Sequence, residues 1–128
     1  MERKIILLAS LTGGLAVILG AFAVHGLKPI LSDSAMDSLE TGIRYQIYHA
    51  FLLFYIASTN QLTYKQQSFL SKLIVVGILL FSGSIYLLST NEMTIFDFKV
   101  IGFLTPIGGL FLISAWAVLF SYNLRNKS

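Results

Sequence analysis

The chain has 128 residues, of which 55% are hydrophobic and only 12% charged, about half the charge of a soluble domain. This excludes a disordered segment and makes lipid the natural solvent. The formal charge of +3 comes without a basic run interleaved with aromatics, which excludes nucleic acid as a partner, and the lack of cysteine excludes disulfides, thiolate metal sites and lipidated cysteine anchors.

Residues 5–27, 45–64, 73–91 and 100–124 contain no Asp, Glu, Lys or Arg and run to 23, 20, 19 and 25 residues. A helix rising about 1.5 Å per residue needs roughly 20 apolar residues to cross a hydrocarbon core about 30 Å thick. The sequence therefore predicts an all-α membrane protein, a single domain over 1–128, with four transmembrane helices in an up-down-up-down bundle. Arg3, Lys4, Lys65, Lys72, Arg125 and Lys127 flank one side of these spans, and Lys28, Arg44 and Lys99 the other. By the positive-inside rule both termini and the 61–72 loop are cytoplasmic, with 28–44 and 92–99 outside. The acids Asp33, Asp37, Glu40, Glu92 and Asp97 all fall on the outer side.

In the first span, Ala9, Gly13, Ala16, Gly20 and Ala23 form a small-residue seam along one helix face, suited to close approach of another backbone. Gly14, Ala21 and His25 lie on a second face about 100° away, which predicts a helix flanked on two sides. Ala21-Phe22-Ala23 has the form of a signal-peptidase site, but the apolar run is too long for a leader and three further spans follow, so the span is expected to remain. The helix should stop near Lys28-Pro29. After it, Ser32 is a good N-cap, and Ala35, Met36, Leu39 and Ile43 form an apolar stripe opposite Asp33, Asp37 and Glu40. This predicts a short amphipathic helix on the outer interface, before a second span that begins near Gly42.

In that second span Tyr45, Tyr48 and Tyr55 share a stripe with Leu52, the first two at the level of an aromatic belt and Tyr55 deep enough to require an interhelical partner. The third span carries Gly77 and Ser82-Gly83-Ser84, suited to tight packing and interhelical hydrogen bonds. The fourth carries Gly108-Gly109 and Pro106, which is expected to release the Gly102 carbonyl and bend the helix.

Only His25 and His49 are acid–base groups within the spans, both in the outer half. Glu40 and Arg44 have the favourable order and spacing for a helical ion pair. One reading gathers His25, Glu40, Arg44, Tyr45, Tyr48 and His49 into an outward-facing pocket for a small ligand, a lipid headgroup or a metal. The other makes the same residues a structural network. A metal site is the weaker option, because no ligand spacing ties the two histidines together. Catalytic signatures are absent: there is no G-x-S-x-G, no H-E-x-x-H, no paired intramembrane carboxylates and no phosphate loop, so neither an enzyme nor a cofactor is expected. The third and fourth spans carry none of the ionisable groups that proton coupling uses.

Four blocks of residues also carry a family resemblance. Gly20-Ala21-Phe22-Ala23-Val24-His25-Gly26-Leu27, the run from Glu40 to Ala50 with its Arg44-Tyr45-Gln46-Ile47-Tyr48-His49 centre, Phe81-Ser82-Gly83-Ser84-Ile85-Tyr86 and Thr105-Pro106-Ile107-Gly108-Gly109 resemble the YgdD/YwdK-like inner-membrane proteins, grouped as domain of unknown function family 423. Ala23-Val24 stands where that pattern has Gly-Ala, and Phe103 where a proline often follows the glycine. The resemblance implies a multi-pass bacterial plasma-membrane protein without an established activity. It marks His25, Arg44, Tyr45, Tyr48 and His49 as motif positions.

Two functions are consistent with these features. The first is a non-enzymatic bundle that packs against lipid, a membrane-protein partner or a second copy of itself, supporting envelope integrity. The second is binding or transport of a small ligand at the outer His/Arg/Tyr cluster.

Overall fold

The structure is a computed structural model that describes residues 2–93 and 98–126. Asp97 and Lys127, two of the charges in the topology argument, lie outside the described residues, as do the side chains of Glu92 and Lys99 in the 92–99 loop. Four long helices make up most of the chain: α1 (Glu2–Phe22), α2 (Asp33–Ser58), α3 (Tyr64–Ser89) and α4 (Leu104–Arg125). A π-helical turn, Ala23–Leu27, extends α1, and two short 3-10 turns, Asn91–Met93 and Phe98–Ile101, connect α3 to α4.

α1 stops just before Pro29, as the ring requires. Its last turn widens so that the Lys28 N–H reaches the Ala23 carbonyl at 2.8 Å, which keeps Ala23 and Leu27 buried and leaves His25 exposed. Ser32 then caps α2, accepting the Ala35 N–H at 3.1 Å. The expected interfacial helix is not a separate element: its residues are the first turns of a continuous α2. No proline interrupts the run, and Gly42, the natural joint, is gripped by α3. A Cβ there would lie 2.9 Å from Tyr86 Cε1 and 3.1 Å from Ile85 Cγ2.

α2 ends at Ser58, earlier than the predicted span, and α3 begins correspondingly early at Tyr64. A reciprocal capping box fixes that start: Thr63 Oγ1 accepts the Gln66 N–H at 3.2 Å and Gln66 Oε1 accepts the Thr63 N–H at 3.0 Å. Three stretches are long and apolar enough to cross a membrane: Arg3–Leu27, Tyr64–Ser89 and Leu104–Arg125. α2 does not qualify by composition, because even its later part, 41–58, carries Arg44, Gln46 and His49 among its apolar residues.

Pro106 corrects another expectation. It is the third residue of α4, where a backbone N–H has no intrahelical acceptor to lose, so it starts the helix and produces no kink.

Consecutive helices pack antiparallel. Ile5 and Ala9 of α1 share a core with Leu53 and Ile56 near the end of α2, while Ala23 and Leu27 meet Met36 and Leu39 near its start. Gln67 near the start of α3 donates to the Ile56 carbonyl at 2.9 Å, and Ser82 near its end donates to the Gly42 carbonyl at 2.8 Å. The Ser84 and Thr105 hydroxyls share a hydrogen bond between α3 and α4, and Gln66 pairs with Asn126 at the opposite end. α2 and α3 are therefore central, with α1 against α2 and α4 against α3. The outer surfaces of α1 and α4 expose Leu7, Leu11, Val17, Ile18, Leu110, Ile113, Phe120 and Leu124, as helices solvated by lipid do.

The small-residue seam of α1 faces α2: Ala9, Ala16 and Ala23 are fully buried, and a Cβ on Gly13 would touch Ala50 at 3.6 Å. Gly20 looks toward Ile43, where a Cβ would stand 3.9 Å from Cγ2. The second face is uncovered, with Gly14 open and Ala21 and His25 exposed, so α1 is flanked on one side only. Gly83 likewise has nothing near it and is not a packing glycine, and Gly109 makes an ordinary contact with Phe81. The close approaches are at Gly77, where a Cβ would meet Leu112 at 2.6 Å, and Gly108, where it would stand 2.3 Å from the backbone nitrogen of Phe81.

Backbone cannot yield as a side-chain tip can. Gly108→Ala should destabilise the fold by about 3 kcal/mol or more, whereas Gly14→Ala and Gly83→Ala should be neutral or stabilising by up to about 1 kcal/mol. Unfolding titrations in mixed micelles, followed by circular dichroism, check this ranking; equal losses at all three sites would refute the α3–α4 contact.

Candidate functional site

The polar chemistry of the membrane region is concentrated on one face of α2. Gly42, Gln46, His49, Leu53 and Ile56 recur at helical spacing and are all buried, so polar groups on this face must find partners inside the protein. Gln46 is 5% exposed and uses both ends of its amide: Nε2 donates to the Thr12 carbonyl of α1 at 2.8 Å, and Oε1 accepts the Tyr86 hydroxyl of α3. One turn on, His49 is 4% exposed. Its Nδ1 lies 2.7 Å from the Tyr45 carbonyl, which can only accept, so Nδ1 carries the hydrogen. Nε2 then accepts the indole N–H of Trp116 on α4 at 3.1 Å, with the two rings edge to face at 73°. Neither ring nitrogen is open to a metal or substrate while those bonds stand.

Of the other residues of the predicted cluster, Tyr45 stacks beside His49, with ring centroids 6.3 Å apart, but no pocket gathers the rest around them. His25 is exposed on the π-helical turn. Arg44 makes no ion pair with Glu40; its Nη2 donates to Thr41 Oγ1 at 3.2 Å, and that hydroxyl donates to the Asp37 carbonyl at 3.0 Å. A side chain on an exposed turn gains little from an ion pair, and the hydroxyl three residues back is within reach without ordering both long chains. Tyr45 and Tyr48 are 41% and 52% exposed and pack on one another, with centroids 5.8 Å apart, and Tyr45 also rests on Phe81. Tyr55 corrects the expectation of a buried partner: it is 46% exposed and its hydroxyl has none among the described residues. No group of three or more His, Cys, Asp or Glu among the described residues could hold a metal ion.

Residue reading that looked only at ionisable groups passed over Gln46, Tyr86 and Trp116. The signal was present in the spacing, since Gln46 lies four residues from Gly42 and three from His49, on the face the packing selects.

Two open spaces flank this core. An apolar groove of about 430 Å³ runs between α1 and α3, lined by Leu11, Leu15, Ile18, Val75 and Leu79 with Gly83, Gln46 and Tyr86 within it. A second space of about 550 Å³ sits where α2 and α4 begin and α3 ends, and its lining is rich in serine and threonine.

If Gln46 ties three helices, Gln46→Leu should cost about 1–2 kcal/mol and Tyr86→Phe less. A double-mutant cycle should return a coupling on the order of 0.5–1.5 kcal/mol, and strictly additive losses would show that the two side chains do not interact.

The comparisons with known proteins bear on the whole chain. The family model described as "Protein of unknown function (DUF423)" matches residues 19–109. A UPF0382 membrane protein of Haemophilus influenzae is 35% identical over 128 residues, covering 100% of this chain and 99% of that one. The UPF0382 membrane protein YwdK of Bacillus subtilis is 36% identical over 119 residues, 91% of this chain and 93% of its own. The UPF0382 inner membrane protein YgdD of Escherichia coli is 29% identical over 127 residues, 98% of this chain and 93% of its own. No solved structure matches the chain. With its apolar helices and these near full-length likenesses, the chain belongs to the DUF423 family of membrane proteins, whose function is unknown.

Proposed function

We propose that the protein is a non-enzymatic multi-pass protein of the plasma membrane that acts by packing against a membrane-protein partner or a second copy of itself, in support of envelope integrity. In this reading all four helices cross the bilayer, α2 with its charged first turns at the outer surface, and both termini are cytoplasmic. Arg3, Lys4, Lys65 and Arg125 share one end of the antiparallel bundle, which favours that orientation. The internal polar residues hold helices together, and the relatives are membrane proteins without an assigned reaction.

The observation that carries the reading is the groove between α1 and α3. Its walls are aliphatic and Gly83 leaves its wall open, while the polar groups of Gln46 and Tyr86 beneath it are spent on Thr12 and on each other. In lipid, small residues are what a second helix recognises, because apolar area alone has no advantage over acyl chains.

A Cβ on Gly83 meets no atom within 4 Å, so Gly83→Leu projects a side chain into that groove. It should leave stability within about 1 kcal/mol of the parent while abolishing association. The cysteine-free chain allows the direct check: Leu15→Cys and Leu79→Cys, crosslinked in native membranes, should give adducts that disappear when Gly83→Leu is added. Adducts of twice the chain mass identify a second copy, and heavier or lighter ones a partner. Absence of any specific adduct, or adducts indifferent to Gly83→Leu, would overturn the reading.

A further inference from the structure

The space at the α2–α3–α4 junction is chemically unlike the rest of the molecule. Among its lining residues are Ser34, Ser38 and Thr41 of α2, Ser89 of α3, and Gly102 and Thr105 at the start of α4. Thr41 and Thr105 are already engaged, with Arg44 and Ser84 respectively. Ser34 and Ser38, one turn apart on one face of α2, have no partner among the described residues. Ser89 faces the same space from α3; it is 4% exposed, and its hydroxyl oxygen is buried without a hydrogen-bond partner. A buried hydroxyl left unpaired costs free energy, and an occupant of the cavity that accepts its hydrogen removes the cost.

Two long helices also begin at this space. At α2 the Ser32 Oγ already accepts the Ala35 N–H and Asp33 stands in the first turn, so the N–H groups that favour a negative occupant are those of Leu104 and Thr105 in α4, Pro106 having none. α4 has no side-chain cap, so its first-turn donors are unclaimed by Phe103. The opposing end of α3 is partly covered: the Thr90 hydroxyl donates to the Tyr86 carbonyl at 2.8 Å and the Met93 N–H to the Thr90 carbonyl at 3.0 Å. The described lining holds no carboxylate, and Arg44 stands behind Thr41. Hydroxyl donors, an uncapped helix N-terminus and an adjacent guanidinium are the elements of an oxyanion site.

We propose that this cavity binds a phosphate group, recognised by the free hydroxyls of Ser34, Ser38 and Ser89 and the uncapped N-terminal end of α4. The phosphate comes either from a lipid headgroup at the bilayer surface or from solution. This site is separate from the α1–α3 groove and does not rest on the packing function.

The test uses the full chain in nanodiscs of phosphatidylethanolamine and phosphatidylglycerol, and the same chain in detergent with inorganic phosphate against chloride at equal ionic strength. Native mass spectrometry records retained lipid, and thermal unfolding records stabilisation by phosphate. Ser34→Asp is the discriminating variant, because an acid in the first turn of α2 suits the helix and repels the ligand. Ser89→Ala removes one donor and should weaken binding about five- to tenfold. Stabilisation by inorganic phosphate that Ser34→Asp abolishes identifies a free-anion site. Retained phospholipid in the parent, lost from a well-folded Ser34→Asp, identifies a headgroup site. Retention and stabilisation identical in parent and variants, or absent from both, would overturn the proposal and leave the cavity to water.

Discussion

A polar group buried among apolar helices has no water to bond with, and the architecture of this protein follows from how α2 meets that condition. Gln46 satisfies its amide with a backbone carbonyl of α1 and a tyrosine hydroxyl of α3, and His49 satisfies its ring with its own helix and the indole of α4. The Gly42 carbonyl takes the Ser82 hydroxyl and the Ile56 carbonyl takes the Gln67 amide, so α3 is fixed to α2 near both ends. One helix thus holds a hydrogen bond to each of the other three. Each of these bonds is worth modest energy by itself, on the order of 0.6 kcal/mol in membrane proteins. Their joint effect is register, since a one-residue rotation of α2 would leave several buried groups unpaired at once.

The glycines settle how near the helices come. At Gly77 and Gly108 the α3–α4 pair approaches until a single methyl group would collide, and at Gly42 the α2–α3 pair does the same. The α1–α2 seam is looser. A Cβ on Gly13 or Gly20 would meet only ordinary contacts, and a space of about 270 Å³ remains between Ala9, Gly13, Ala50 and Phe51. Backbone proximity is therefore greatest between α3 and its two neighbours, and α1 is held by its alanines and by Gln46 instead of by interlocked glycines. That looser seam fits the open grooves beside α1.

Helix content, the antiparallel order and three of the four expected apolar spans were legible because charge-free runs of this length have few alternatives. The boundaries were less so, because charge marks where lipid ends and not where a helix ends: α2 continues through Arg44 and Asp37 to its cap at Ser32, and α3 reaches back through Lys72 and Lys65 to Thr63. Pro106 was misread for the same reason, its meaning reversing between the middle and the first turn of a helix. The seam of alanines in α1 was readable from spacing, but the sequence does not reveal which glycines face a neighbour; Gly83 and Gly108 look alike until the helices are placed. At the candidate site the histidines stood out for their chemistry, while the residues that occupy them, Trp116 above all, lie 67 positions away and carry no local pattern.

The polar groups then divide by depth. Those in the middle of the bundle are consumed by other helices, so a ligand arriving there would have to break an internal bond before making its own. At the end where α2 and α4 begin, the hydroxyls of Ser34, Ser38 and Ser89 and the uncapped first turn of α4 have no such commitments among the described residues, and one of the hydroxyls is buried. Natural proteins rarely leave a buried hydroxyl unpaired, and an apolar residue at position 89 would remove the cost outright. Retaining serine there makes energetic sense if something outside the chain completes it. The hydroxyls left without partners are accordingly gathered at one end of the bundle, while the polar groups of its midsection are spent on contacts between helices.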